Sequence, residues 1–161
     1  MQRIVLDQSK CQGCRVCEAI CSLVNEGEAN PEKSRIKVIR TIDDEIVRAI
    51  PVFCQQCEEA YCEKVCPAHA INRDIRQVLC VDEKKCVGCK LCEIACPVGA
   101  ITVNSQKHIA LKCNQCAVMN GEPQCVKHCY TGALQFLPAE TVGRAKARGK
   151  AGKFLEMQRS V

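Results

Sequence analysis

The chain has no tryptophan, two tyrosines and three phenylalanines. Aromatic rings supply much of the buried area of ordinary cores, so a chain this poor in them needs another source of stability. No run approaches eighteen apolar residues, which excludes a membrane-spanning helix. Residues Met1-Gln-Arg-Ile-Val-Leu-Asp7 contain no apolar core, twin arginine or cleavage site, so a cytoplasmic protein is expected. There is no Gly-rich phosphate loop of the P-loop or dinucleotide type and no Ser/His/Asp constellation, so no catalytic chemistry of its own is expected. The net charge of +5 belongs mostly to residues 138–161, where Arg144, Lys146, Arg148, Lys150, Lys153 and Arg159 face only Glu140 and Glu156. With Phe154 as the one aromatic among those cations, the basic segment lacks the interleaved rings of a nucleic-acid interface.

What the chain has in excess is cysteine, seventeen in 161 residues. In a reducing compartment such density reads as metal ligation rather than as a disulfide framework. The organising stretch is Cys86-Val-Gly-Cys89-Lys-Leu-Cys92-Glu-Ile-Ala-Cys96-Pro97, with gaps of two, two and three before a proline. This is the bacterial ferredoxin spacing: the first three thiolates of such a run wrap one [4Fe–4S] cube, and the fourth ligates a different one. A partner motif is therefore required, and the sequence has three. Cys11, Cys14, Cys17 and Cys21 repeat the gaps of two, two and three; Cys54, Cys57, Cys62 and Cys66 have two, four and three; Cys113, Cys116, Cys125 and Cys129 have two, eight and three. Sixteen cysteines fall into these sets, the number that four [4Fe–4S] clusters need. Zinc sites use two cysteine pairs across a longer spacer, so a structural zinc module is the competing reading, chiefly for the sets led by Cys54 and Cys113.

The halves repeat each other. Every cysteine of the Cys11 motif recurs 75 residues later, and Ile50-Pro-Val-Phe-Cys54-Gln-Gln-Cys57 aligns with Ile109-Ala-Leu-Lys-Cys113-Asn-Gln-Cys116. Between the motifs, β-branched runs predict a first strand over 2–7 and hairpins over 35–52, 70–82 and 100–111. A short helix is expected after Cys17, ending near Asn25 and Gly27. The expected fold is α+β: two duplicated ferredoxin-like units of short hairpins and short helices around four clusters. These form a domain over 1–137, with outer motifs in 1–30 and 110–137 and inner motifs in 50–100; residues 138–161 form a basic tail that docks on a partner or is disordered.

Several residues carry a bland reading beside the functional one. Cys80 lies on a predicted strand and reads as a small buried hydrophobe, not a ligand. His69, His108 and His128 follow no ligand spacing and read as ordinary polar residues, with His128 next to Cys129 the one placed to tune a cluster. Arg15 and Lys90 hold the same position in their motifs, as solvated charges or as cations that would raise a cluster's potential. Gly13 and Gly88 fit a need for close backbone approach at the cluster, and equally plain turns.

On these four motifs, in this order and with these gaps, residues 1–137 resemble the four-cluster ferredoxin-like electron-transfer subunits of anaerobic oxidoreductases. That group includes the small subunits of dimethyl sulfoxide reductase and formate dehydrogenase types and hydrogenase-linked formate lyase subunits. The compact form and the Cys21-Ser-Leu-Val-Asn-Glu-Gly stretch are most similar to partners of carbon monoxide dehydrogenase and tungsten aldehyde oxidoreductases. The resemblance implies an outer and an inner pairing of motifs: Cys11, Cys14, Cys17 with Cys129; Cys113, Cys116, Cys125 with Cys21; Cys54, Cys57, Cys62 with Cys96; Cys86, Cys89, Cys92 with Cys66. It implies single-electron transfer between a catalytic subunit containing nickel, tungsten or molybdenum and a further donor or acceptor protein; whether protomers stack to extend the wire is not read from the sequence. Ser22 and Tyr130 stand where Pro67 and Pro97 follow the inner motifs, so the outer loops depart from the pattern. The alternative within the same chemistry is a free polyferredoxin, against which a pI near 8.4 argues, since such carriers tend to be acidic.

Overall fold

The computed structural model describes residues 2–43 and 46–141. Its strands form four separate two-stranded antiparallel sheets. Three are the expected hairpins: β2 (Ile36–Asp43) with β3 (Ile46–Phe53), β4 (Ile71–Arg73) with β5 (Leu79–Val81), and β6 (Ile101–Asn104) with β7 (Ile109–Lys112). The fourth joins the ends of the domain, with β1 (Gln2–Leu6) against β8 (Leu134–Pro138) in the register Ile4 to Phe136 and Leu6 to Leu134. The sequence reading does not anticipate β8. The basic tail lies outside the described residues from 142 onward.

The duplication is carried into the backbone. Asp7 donates its N–H to the Ala133 carbonyl at 2.7 Å, and Asp82 donates to Ala70 at 2.7 Å, so the same bond precedes the Cys11 motif and the Cys86 motif. α1 (Val16–Glu26) starts at Arg15 and ends at Gly27, both left-handed, with the Gly27 N–H on the Leu23 carbonyl. The other helices, α2 (Tyr61–Lys64), α3 (Leu91–Ile94) and α4 (Gln124–Lys127), are single turns, each burying one cysteine: Cys62, Cys92 and Cys125. α1 packs on α4 and α2 on α3.

Two apolar clusters result. One gathers Ile71, Leu79, Ile101 and Ala110 with Cys62 and Cys92; the other gathers Ile4, Ile36, Phe53 and Leu134 with Cys21 and Cys125. Fully burying a side chain such as Ile71 or Leu79 contributes about 1.5–3 kcal/mol. Cysteines are integral to both clusters, so what stabilises each cluster depends on what the thiols hold. Among the described residues no helix is long and apolar enough to cross a membrane.

Candidate metal centres

Four cavities, each enclosing about 340–350 Å³ of space partly open to solvent, punctuate the molecule, and each is lined by four cysteines. The first is lined by Cys11, Cys14, Cys17 and Cys129. The second is lined by Cys21, Cys113, Cys116 and Cys125. Around the third stand Cys54, Cys57, Cys62 and Cys96, and around the fourth Cys66, Cys86, Cys89 and Cys92. Three thiols in each come from one motif and the fourth from another. The thiols surround a volume rather than a point: among the described residues no three His, Cys, Asp or Glu side chains are grouped to hold a single metal ion.

The loops reach this arrangement through one repeated conformation. The residue before the second cysteine has positive φ in all four motifs: Gly13 at 66°, Gln56 at 51°, Gly88 at 67° and Gln115 at 52°. Glycine is needed in two of them because a neighbouring hairpin comes close. A Cβ on Gly88 would stand 2.4 Å from the His108 carbonyl oxygen, and one on Gly13 2.4 Å from Ala49 Cβ. The close approach expected of these glycines is therefore to the hairpins that roof the first and fourth cavities. Gln56 and Gln115 use their side chains instead. Gln115 Nε2 donates to the Gln2 carbonyl at 3.1 Å, and Gln56 Nε2 donates to the Cys113 carbonyl at 2.8 Å while its Oε1 accepts the Leu79 N–H at 2.8 Å.

The sulfurs are met by backbone donors. N–H groups point at thiols in every cavity: Leu134 at Cys129 (3.5 Å), Gln124 at Cys116 (3.4 Å), Gln56 at Cys54 (3.4 Å), Ala100 at Cys96 (3.3 Å), Ala70 at Cys66 (3.3 Å) and Ala110 at Cys86 (3.4 Å). Asn25 Nδ2 adds a bond to Cys21 Sγ at 3.7 Å. Donors placed on sulfur favour its anionic form and, in a metal site, tune the group it ligates. Burial works the other way. It pushes the Cys17 thiol up to about 12, Cys92 to about 11 and Cys113 to about 12, with neighbouring charges such as Glu18 at Cys17 adding to the rise. Cys62, Cys116 and Cys125 are raised for the same reason, whereas at Cys129 the Leu134 and Thr131 bonds outweigh burial and lower it. Sulfurs raised in this way become thiolates only if something positively charged fills the space beside them. An iron–sulfur cube fits that donor set.

The cavities follow a linear order. Cys17 and Cys129 of the first pack in the same apolar cluster as Cys21 and Cys125 of the second; Gln56, beside Cys57 of the third, bonds the Cys113 carbonyl of the second; and Cys62 of the third shares the other cluster with Cys92 of the fourth. Of all the cysteines only Cys14 and Cys89 are exposed, one at each end of that order. Arg15 and Lys90 line the end cavities. Arg35, held by Glu26 at 3.4 Å, lines the second. Cys80 lines none of the four; it faces Asp74 Oδ2 at 3.9 Å. None of the three histidines lines a cysteine cavity, and His128 Nδ1 lies 3.0 Å from the Gln124 carbonyl. Sequence reasoning missed Gln56, Gln115, Arg35 and Lys112.

The 4Fe-4S dicluster domain model matches residues 46–138. The chain belongs to that family. It is 36% identical over 141 residues to the thiosulfate reductase electron transfer subunit PhsB of Salmonella typhi, covering 81% of this chain and 72% of the relative. It is 33% identical over 164 residues to the polyferredoxin-like subunit of aliphatic sulfonate oxidoreductase of Pyrococcus furiosus (98% and 91% covered), and 35% identical over 153 residues to the electron transport protein HydN of Escherichia coli (81% and 85% covered). The fold is that of a chain in the BamBC active-site complex of benzoyl coenzyme A reductase, at a TM-score of 0.50 and 24% identity, with 96% of this chain and 91% of that one covered. This dicluster-family chain is an electron-transfer protein with [4Fe–4S] clusters as its cofactors.

Proposed function

We propose that the chain holds four [4Fe–4S] clusters, one in each cavity on the four cysteines lining it, and relays single electrons for a catalytic oxidoreductase subunit. The observation that carries this reading is the three-plus-one composition of all four cavities, which uses sixteen cysteines and leaves out Cys80. A cluster, when bound, supplies a one-electron couple. The protein's part is to space the sites and donate N–H groups to the thiolates. Exposed Cys14 and Cys89 make the two ends the points of exchange with other proteins, one with the catalytic subunit and one with a second donor or acceptor. The outer unit comprises 1–30 and 110–137 and the inner unit 50–100. A nickel-, tungsten- or molybdenum-containing partner fits a family whose relatives bear the names of oxidoreductase subunits.

Anaerobic affinity purification from the native host, followed by iron, sulfide and metal analysis, tests this. About sixteen irons per chain with a stoichiometric Ni-, W- or Mo-containing partner is the expected result. Full iron with no partner would make the protein a free carrier, and zinc without sulfide would overturn both readings.

A further inference from the structure

Between the second and third cavities lies a buried cation. Lys112 is 2% exposed, and among the described residues no carboxylate pairs with it. Its ammonium donates to the Leu79 carbonyl at 2.7 Å and the Cys113 carbonyl at 3.3 Å. Cys113 lines the second cavity and Leu79 the third, so one charge is fastened to the walls of both. Gln56 completes the same junction, bonding the Cys113 carbonyl and the Leu79 N–H. Lys112 reaches thiols on both sides: burial raises Cys62 and Cys113, and the Lys112 charge draws each back down. A cation buried against two carbonyls is poorly compensated. Anionic clusters on either side would supply the missing countercharge. The duplication makes the residue conspicuous, for its counterpart in the other half is Phe53, buried and apolar. The position therefore does not require a charge to fold.

We propose that Lys112 is a positioning residue for electron flow, a fixed charge shared by the two middle clusters that raises the reduction potential of both relative to the end clusters. The inference rests on the cluster assignment above. Net charge near a cluster is among the determinants of its potential, and burial keeps this charge unscreened.

The test is an EPR-monitored redox titration of the loaded protein and of Lys112→Met, Lys112→Gln and Lys112→Arg, with iron and sulfide measured on each. In the Met and Gln variants two of four midpoint potentials should fall while the other two hold, and Arg should restore them. The pair that moves should differ from any moved by Lys90→Gln, which alters the fourth cavity only. Four unchanged potentials, a uniform shift of all four, or loss of clusters in both neutral variants but not in the Arg variant would overturn the proposal, the last by making Lys112 a structural counterion. A wild-type protein with fewer than four clusters would instead overturn the assignment on which it rests.

Discussion

Glu18 Oε1 accepts the backbone N–H of Val38 at 2.7 Å, and both residues are buried. Val38 stands opposite Pro51 and turns its polar groups outward from the hairpin, toward α1. Arg15 takes the carbonyl, donating at 3.3 Å, and its Nε lies 3.6 Å from the second Glu18 oxygen. The pair docks β2–β3 over the first cavity, and Pro51 loses no ladder bond at a position whose N–H would face away. Glu18→Ala leaves a buried donor unpaired and is expected to cost about 1–3 kcal/mol. Glu18→Gln, whose amide oxygen can still accept, should cost less. Anaerobic denaturation of the loaded protein, followed by its visible absorbance, measures both, and equal losses would show that the bond to Val38 is not what matters.

Gly88→Ala should labilise the fourth site selectively. An added methyl meets the His108 carbonyl, which is backbone and cannot swing aside, at a φ of 67° that alanine also resists. Iron release to a chelator is expected to gain a fast phase amounting to about a quarter of the iron, one cube in four. Gly132→Ala, also at positive φ but with open space around its Cβ, is the control and should produce a smaller effect.

Cysteine replacements should report the pairing. Cys21→Ala and Cys113→Ala are expected to abolish the same EPR signal, although they lie in different motifs, because both line the second cavity. Cys80→Ser should leave iron and sulfide at the wild-type level. A loss of about four irons in the Cys80 variant would make it a ligand and displace one of the sixteen.

Protons compete with iron for the thiols. Cys17, Cys92 and Cys113, lifted by burial to about 12, 11 and 12, hold their protons throughout the neutral range when metal-free, yet must lose them to ligate. The sign follows. The loaded protein should lose iron more readily as pH falls, and the concentration of a non-titrating chelator that strips half the iron should rise from pH 7 to pH 9. In the metal-free chain the raised thiols act oppositely, favouring the folded form below the ordinary thiol value of 9.0 and losing that contribution as pH rises through about 11 to 12.

The hairpins and α1 were legible because their signals are local: alternating β-branched residues in 36–42 and 46–52, and Gly27 closing a helix. The cysteine sets were legible because spacing alone encodes chemistry. β8 was not, since a strand that pairs with the far end of the chain has no turn beside it to announce the partner. Gln56 and Lys112 were missed for a related reason. Both act between the second and third cavities, and a lysine at a strand end reads as solvated until it is seen buried against the Leu79 carbonyl. Arg15 was seen only as a charge, while its ties to Glu18 and Val38 make it part of the hairpin's attachment.

The β1–β8 sheet also sets an order of events during synthesis. The first motif leaves the ribosome early, but its cavity is not closed until Cys129 and the strand that follows have been made. The third and fourth cavities need nothing beyond Cys96 for their thiols, and the β6–β7 hairpin that covers them follows directly. The middle motifs therefore have every thiol of their cavities in hand while the Cys11 loop still lacks Cys129, its fourth.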